Sequence, residues 1–255
     1  MPAARLRHAL VAAFTLTLLL AGCSSGAAEE PSTPTSTEAT FYIVRHGQTA
    51  FNVKEIVQGW SDSPLTEKGV FQAHDTAKLL DGVDLTAALS SDLGRARATA
   101  ETILGDINSK VQLETSDLLR EEYCGGLEGE TEANFYGPIL ESYGLKRDAE
   151  LTDYPKYLEM TTPEQRVDDI AKSDPTQTAE TWPAYKKRLT AAIDLLESSA
   201  EASGGNILVV SHSTSISHLL TLMDPNGYHG GSIPNGSVTT VKFRDGVFTL
   251  EKLGQ

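Results

Sequence analysis

Two cysteines, Cys23 and Cys124, are the only thiols in 255 residues, too few for a disulfide framework. Basic residues are scarce, 21 Lys and Arg against 35 Asp and Glu, and the formal net charge is −14. A general nucleic-acid binder needs a basic footprint, so no nucleic-acid partner is expected. The longest apolar stretch, Leu10 to Ala21, is too short to cross a hydrocarbon core of ~30 Å as a helix. The chain has no internal repeat and no Gly-x-x-x-x-Gly-Lys loop, and His74, His218 and His229 stand in no recognised zinc spacing. Neither a metal nor another cofactor is expected on that basis. The length suits one α/β domain with an inserted cap and is ample for a core. A 40% apolar and 22% charged composition argues against wholesale disorder.

The first residues read as an address. Arg5, Arg7 and His8 form a positive start, and Leu10 to Ala21 is apolar apart from Thr15 and Thr17, the length of a secretory core of ~7–15 residues. Leu20-Ala21-Gly22-Cys23 resembles the lipobox of bacterial lipoproteins; the competing reading is an ordinary secretory signal with an incidental cysteine. The resemblance implies removal of residues 1–22, lipidation of Cys23 and attachment to the outer face of the membrane at the cell envelope. Several acyl chains on one residue anchor stably, where a single chain is marginal. Cys124 is then alone and is expected as a small core residue. Residues 23–40 are the expected anchor and tether. Eight of the seventeen residues 24–40 are Ser or Thr, two are Pro, and none is a large apolar. Fully extended, they reach about 50 Å.

From Phe41 the pattern is that of an α/β domain. Phe41–Val44, Leu85–Ser90 and Asn206–Ser211 are short apolar runs, as for strands buried on both faces. Val111–Glu114 is a weaker strand. Val238–Phe243 and Val247–Leu250 flank Asp245-Gly246 and predict a hairpin. Helices are expected over Glu67–Leu80 behind a Thr66 cap, Gly94–Leu104, Ala179–Ser203 and Ser213–Met223. Residues 129–178 are turn-rich and carry Tyr136, Tyr143, Tyr154 and Tyr157, and are expected as the cap over the sheet.

The first strand ends in Arg45-His46-Gly47-Gln48-Thr49, with Asn52 six residues after His46. Further on stand Gln58-Gly59-Trp60-Ser61-Asp62-Ser63-Pro64-Leu65-Thr66-Glu67-Lys68-Gly69 and Ser90-Ser91-Asp92-Leu93-Gly94-Arg95-Ala96-Arg97. Leu119-Arg120-Glu121-Glu122-Tyr123-Cys124-Gly125-Gly126-Leu127-Glu128-Gly129 and Val209-Val210-Ser211-His212 follow. In this order the motifs resemble the histidine phosphatase (phosphoglycerate mutase-like) superfamily over about residues 41–250. The resemblance implies a three-layer α/β/α sandwich with a mostly parallel central sheet and an inserted cap. One departure stands out: Ser213 follows the second histidine, where the family commonly has Gly.

The implied chemistry is phosphoryl transfer. A neutral imidazole attacks phosphorus and forms a phosphohistidine, splitting one hard step into two; His46 is the expected nucleophile. Arg45 and Arg95 are expected to offer planar forks to phosphoryl oxygens, and a protonated His212 a further positive donor. Arg97 competes for the place of Arg95, and family register favours Arg95. A carboxyl must protonate the leaving group and later activate water. Family spacing selects Glu121, with adjacent Glu122 or a residue of the cap as the alternatives. Asn52 and Thr49 are expected on the phosphate, with Gln48 as a further donor.

Two outcomes compete within this chemistry: hydrolysis of a small phosphomonoester, or mutase-type return of the phosphoryl group to a doubly anionic sugar acid. A non-catalytic lipoprotein that binds a phosphorylated ligand is the third reading. Residues 128–180 hold thirteen acids and five bases, a poor lid for polyanions, which favours the phosphatase. The four cap tyrosines, with Phe135 and Trp182, either favour an aromatic or apolar leaving group over a polyphosphate or simply pack the cap.

Overall fold

The computed structural model describes residues 37–231 and 233–255. The expected signal segment 1–22, Cys23 and the tether as far as residue 36 lie outside the described residues. In chain order the elements are β1 (Glu38–Arg45), α1 (Ala50–Val53), α2 (Glu67–Leu79), β2 (Leu85–Ser91), α3 (Gly94–Asp106) and β3 (Leu113–Ser116). Then come α4 (Glu132–Ser142), α5 (Tyr154–Met160), α6 (Pro163–Ser173), α7 (Trp182–Ser203), β4 (Gly205–Ser211), α8 (Ser213–Met223), β5 (Val238–Arg244) and β6 (Val247–Lys252).

The six strands form one sheet in the order β3-β2-β4-β1-β5-β6. β1, β2, β3 and β4 pair in parallel, and the β5–β6 hairpin adds antiparallel to β1. Alternation along the strands divides the core. Phe41, Ile43, Ile207 and Val209 face α7 and α8 in one cluster; Val44, Leu208 and Val210 face α2 and α3 in another. Period-two patterning of apolar residues on strands covered by helices on both sides produces the three layers. Thr66 caps α2 as expected, its hydroxyl accepting from the Gly69 amide at 3.0 Å.

Two strand starts and the content of the cap are the main differences from the expectations, beside shifts of up to three residues at other element ends. β1 begins at Glu38, inside the stretch assigned to the tether, because Ala39 and Thr40 pair with Gly205 and Asn206 on one side and Glu38–Thr40 with Lys242–Arg244 on the other. Backbone pairing does not need apolar side chains, and Glu38 adds an ion pair to Arg244 at 2.9 Å. β3 lies two residues later than Val111–Glu114, on an exposed edge where apolar content is a poor guide. The cap holds three helices, α4, α5 and α6, around its own apolar cluster of Phe135, Ile139, Leu140, Tyr157 and Ile170. Their Thr131 and Thr162 caps are present in the sequence, the second as a full capping box with Gln165. Short helices, the first with Pro138 inside it and ending at Tyr143-Gly144, hide their period. Among the described residues, no helix is long and apolar enough to cross a membrane.

Candidate active site

The ends of two neighbouring strands create the site. β1 and β4 are adjacent and parallel, with Arg45 opposite Ser211. The next residues, His46 and His212, therefore emerge side by side at the carboxyl edge of the sheet, where open α/β folds gather ligands. Their ring centroids are 5.1 Å apart. β2 is the other neighbour of β4, and the turn after it places Arg95 in the first turn of α3. The loop after His46 is pressed against α2: a Cβ on Gly47 would overlap the Gly69 carbonyl, and one on Gly69 would overlap that of Gln48.

The hydrogen bonds fix both imidazole tautomers. Nδ1 of His46 lies 2.8 Å from the Gly47 carbonyl. A carbonyl only accepts, so Nδ1 carries the proton and Nε2 keeps its lone pair. Nε of Arg95 donates to that Nε2 at 3.3 Å and to Nδ1 of His212 at 3.2 Å. His212 therefore carries its proton on Nε2, which is buried without a partner. Burial, and then the charge of Arg95, hold both imidazoles well below their ordinary value. His212 is thus neutral, which corrects the expectation of a cation: it offers an N–H, not a charge.

Arg95 also departs from expectation. Its side chain is fully buried, and its terminal nitrogens donate to the carbonyls of Gly59, Gln58 and Ser61 and to Asp62. The fork is committed to protein, and only Nε faces the two rings. Arg45 keeps more in hand: one terminal nitrogen donates to the Ile233 carbonyl at 2.8 Å, while Nε is buried and unpartnered. Arg97 pairs with Glu101 at the surface and stays outside the site.

From the loop that follows β3, the Glu121 carboxylate reaches the first amides of α8. Its Oε1 accepts from the amides of Ser215 (2.9 Å) and Glu122 (3.1 Å) and from the Ser215 hydroxyl, whereas Oε2 accepts from the Thr214 amide alone. Oε2 therefore has room for a transferable proton. Thr49 is fully buried and its hydroxyl is taken: it accepts from the Asn52 amide, forming a capping box on α1, and donates to Gln58. The expectation of a Thr49 side chain on phosphate is corrected accordingly. Asn52 returns its Oδ1 to the Thr49 amide and borders the cavity beside Glu121. The Gln48 amide donates to Gln72.

The chain matches the histidine phosphatase superfamily (branch 1) over residues 41–255. It belongs to this family. A solved phosphoglycerate mutase from Bacillus anthracis is similar, with 36% identity, a TM-score of 0.79, and coverage of 86% of this chain and 94% of that one. A phosphoserine phosphatase from Entamoeba histolytica, solved with 3-phosphoglyceric acid, shares 25% identity over 85% and 97% of the two chains, with a TM-score of 0.59. A curated relative from Cronobacter sakazakii, named "Probable phosphoglycerate mutase GpmB", is 45% identical over 87 residues. That match spans 34% of this chain and 40% of the relative.

Histidine phosphatase residues that sequence reasoning missed are mostly supports. Glu128 accepts from the amides of Gly59, Trp60, Ser61 and Cys124 and so holds the loop that grips Arg95. Asn235 donates to the His46 carbonyl at 2.9 Å. Arg188 pairs with Glu180 at 2.6 Å and donates to three carbonyls of residues 118–121. A carboxylate three residues past Gly125 was visible in the motif; the remote Asn235 and Arg188 left no local signal. The cap splits its tyrosines. Tyr143 and Tyr157 donate to Asp169 inside the cap, whereas Tyr136 and Tyr154 line a cavity of about 480 Å³. Cys124 is buried, and burial pushes its thiol well up from the ordinary value. Among the described residues, no cluster of His, Cys, Asp and Glu is arranged to hold a metal ion.

Proposed function

We propose that this histidine phosphatase hydrolyses small phosphomonoesters through a phosphohistidine at His46, and does so at the cell envelope, anchored through Cys23. In the first step the Nε2 lone pair of His46 forms the N–P bond while the ester P–O bond breaks and Glu121 delivers a proton to the leaving oxygen. In the second, Glu121 takes a proton from water, whose oxygen displaces His46 from phosphorus. The Arg45 guanidinium and the Nε2 proton of His212 face the phosphoryl oxygens, where charge develops. Arg95 works through the imidazoles as a positioning residue, keeping both lone pairs and both protons in place.

One observation favours hydrolysis over a mutase. The compartment of about 160 Å³ beside Glu121 is bordered by three carboxyls, Glu121, Glu122 and Glu132, and by no basic side chain. The cap bases are spoken for: Lys146, Arg147, Lys156 and Lys172 pair with Asp148, Glu141, Asp153 and Asp169. Arg166 is tied to the Leu158 and Thr161 carbonyls and the Thr161 hydroxyl. In the compartment beside Glu121 a sugar acid with a second anionic group finds no counter-charge.

Phosphate release from para-nitrophenyl phosphate, set beside interconversion of 2- and 3-phosphoglycerate, tests the reading. Hydrolysis lost in His46→Ala, with no interconversion, is the expected result; efficient interconversion overturns it. For the anchor, Cys23→Ser is expected to move the protein from the membrane pellet to the soluble fraction in a lipoprotein-processing host. Unchanged membrane recovery would sink that part.

A further inference from the structure

The larger cavity, about 480 Å³, and the smaller one beside Glu121 share Glu122, Tyr136, Ile170 and Thr214 in their walls. Glu122 is only 5% exposed, and its Oε1 is buried without a hydrogen-bond partner. Native proteins rarely leave a buried carboxyl oxygen unpaired, and one that borders a cavity calls for a ligand. His218 lines the same cavity and also carries such an atom: its Nε2 is buried without a hydrogen-bond partner, while Nδ1 lies 3.0 Å from the Thr214 carbonyl.

The groups around Glu122 decide its form. Burial comes first, then Glu121, Glu180 and Glu128 add like charge, and Arg188 opposes them; together they push Glu122 well above the ordinary carboxyl value. A neutral carboxyl both donates and accepts. Around it stand the rings of Tyr136 and Tyr154, with centroids 4.6 Å apart, and the hydroxyl-bearing Thr214 and Ser217. Aromatic walls with paired donor–acceptor groups, and a single cation, Arg166, tied to the Leu158 and Thr161 carbonyls, suit an uncharged leaving group rich in hydroxyls.

We infer that Glu122 is the specificity-determining residue of this site, reading the hydroxyls of a sugar or polyol leaving group, so that the enzyme takes monoesters of uncharged polyhydroxy alcohols. Glu122 touches the alcohol and takes no part in bond breaking. The inference rests on the hydrolase reading above.

The test compares kcat/KM for glucose 6-phosphate and for n-hexyl phosphate, which lacks the hydroxyls, in the full-length protein. The wild type is expected to favour the sugar ester by about tenfold or more, the worth of one or two buried hydrogen bonds. Glu122→Leu is expected to lower that ratio about tenfold, and Glu122→Gln, which keeps a donor and an acceptor, to hold it within about threefold. A wild type that prefers n-hexyl phosphate overturns the inference without any variant. So does a Glu122→Leu enzyme that slows on both esters equally, which marks a structural role only. If the wild type hydrolyses neither ester, nor para-nitrophenyl phosphate, the hydrolase reading falls and takes the inference with it.

Discussion

At the sheet edge, two of the buried polar atoms without partners are N–H donors: Nε of Arg45 and Nε2 of His212. In the cavity under the cap they are Glu122 Oε1 and His218 Nε2. The first pair sits beside a neutral imidazole whose Nε2 lone pair accepts only from Arg95 Nε, and it suits an anion. The second pair sits among carboxyls and aromatic rings and suits uncharged hydroxyls. On the proposed reading, one ester meets two environments on either side of its P–O bond, phosphoryl chemistry depending on the first and substrate choice on the second.

Breaking the sheet-edge side has the largest expected effect. His46→Ala removes the proposed nucleophile, and kcat/KM for para-nitrophenyl phosphate should fall by about 10⁴-fold or more. Arg95→Lys comes next. A lysine has no Nε–H set between the rings and no fork for Gly59, Ser61 and Asp62, so both tautomers lose their guide. A loss of about 10²–10³-fold is expected, with circular dichroism unchanged. A loss below about fivefold would mean that Arg95 supplies only charge.

The third effect concerns how the cap is held to the sheet edge. Asp174 is 2% exposed. It accepts from the amides of Gly126, Thr176, Thr178 and Ala179, which ties the Glu121 loop to the start of the segment that leads into α7. Burial alone would raise its carboxyl; the hydrogen bonds from Thr176, Ala179 and Thr178 outweigh it and hold the group below its ordinary value. Asp174→Asn turns donor-facing oxygens partly into donors and should lower stability by about 2–3 kcal/mol in urea unfolding.

The same division explains what could be read from the sequence. Arg45, His46 and His212 follow apolar runs whose buried-strand pattern is strong, so their meeting at the sheet edge followed from order alone. The expected charge on His212 failed because burial, a three-dimensional quantity, sets it. The expected fork of Arg95 failed for a related reason: its acceptors, Gly59, Ser61 and Asp62, lie more than thirty residues away. In the cap, Tyr136 and Tyr143 look alike in sequence, yet one borders the cavity and the other donates to Asp169. Only the packing of α4 against α6 separates them.

The smallest expected effect sharpens the cavity side, and its sign follows from Glu122 itself. In the unfolded chain a glutamate loses its proton above about pH 4.5. In the folded protein, burial and the neighbouring Glu121, Glu180 and Glu128 keep Glu122 protonated to a higher pH. Between those two points the unfolded state releases a proton that the native state retains, so this residue lowers stability as pH rises. Glu122→Gln removes that cost. The variant should match the wild type near pH 4 and gain about 1 kcal/mol by pH 8, seen as a higher Tm at the alkaline end only. The two depressed histidines act in the opposite sense, since His46 and His212 stay neutral in the fold while the unfolded chain takes up protons below about pH 6.5. They are common to both proteins and cancel in the difference. A Tm gain that is equal at pH 4 and pH 8 would mean that Glu122 is already ionised in the fold, and that its carboxyl meets the leaving alcohol as an acceptor alone.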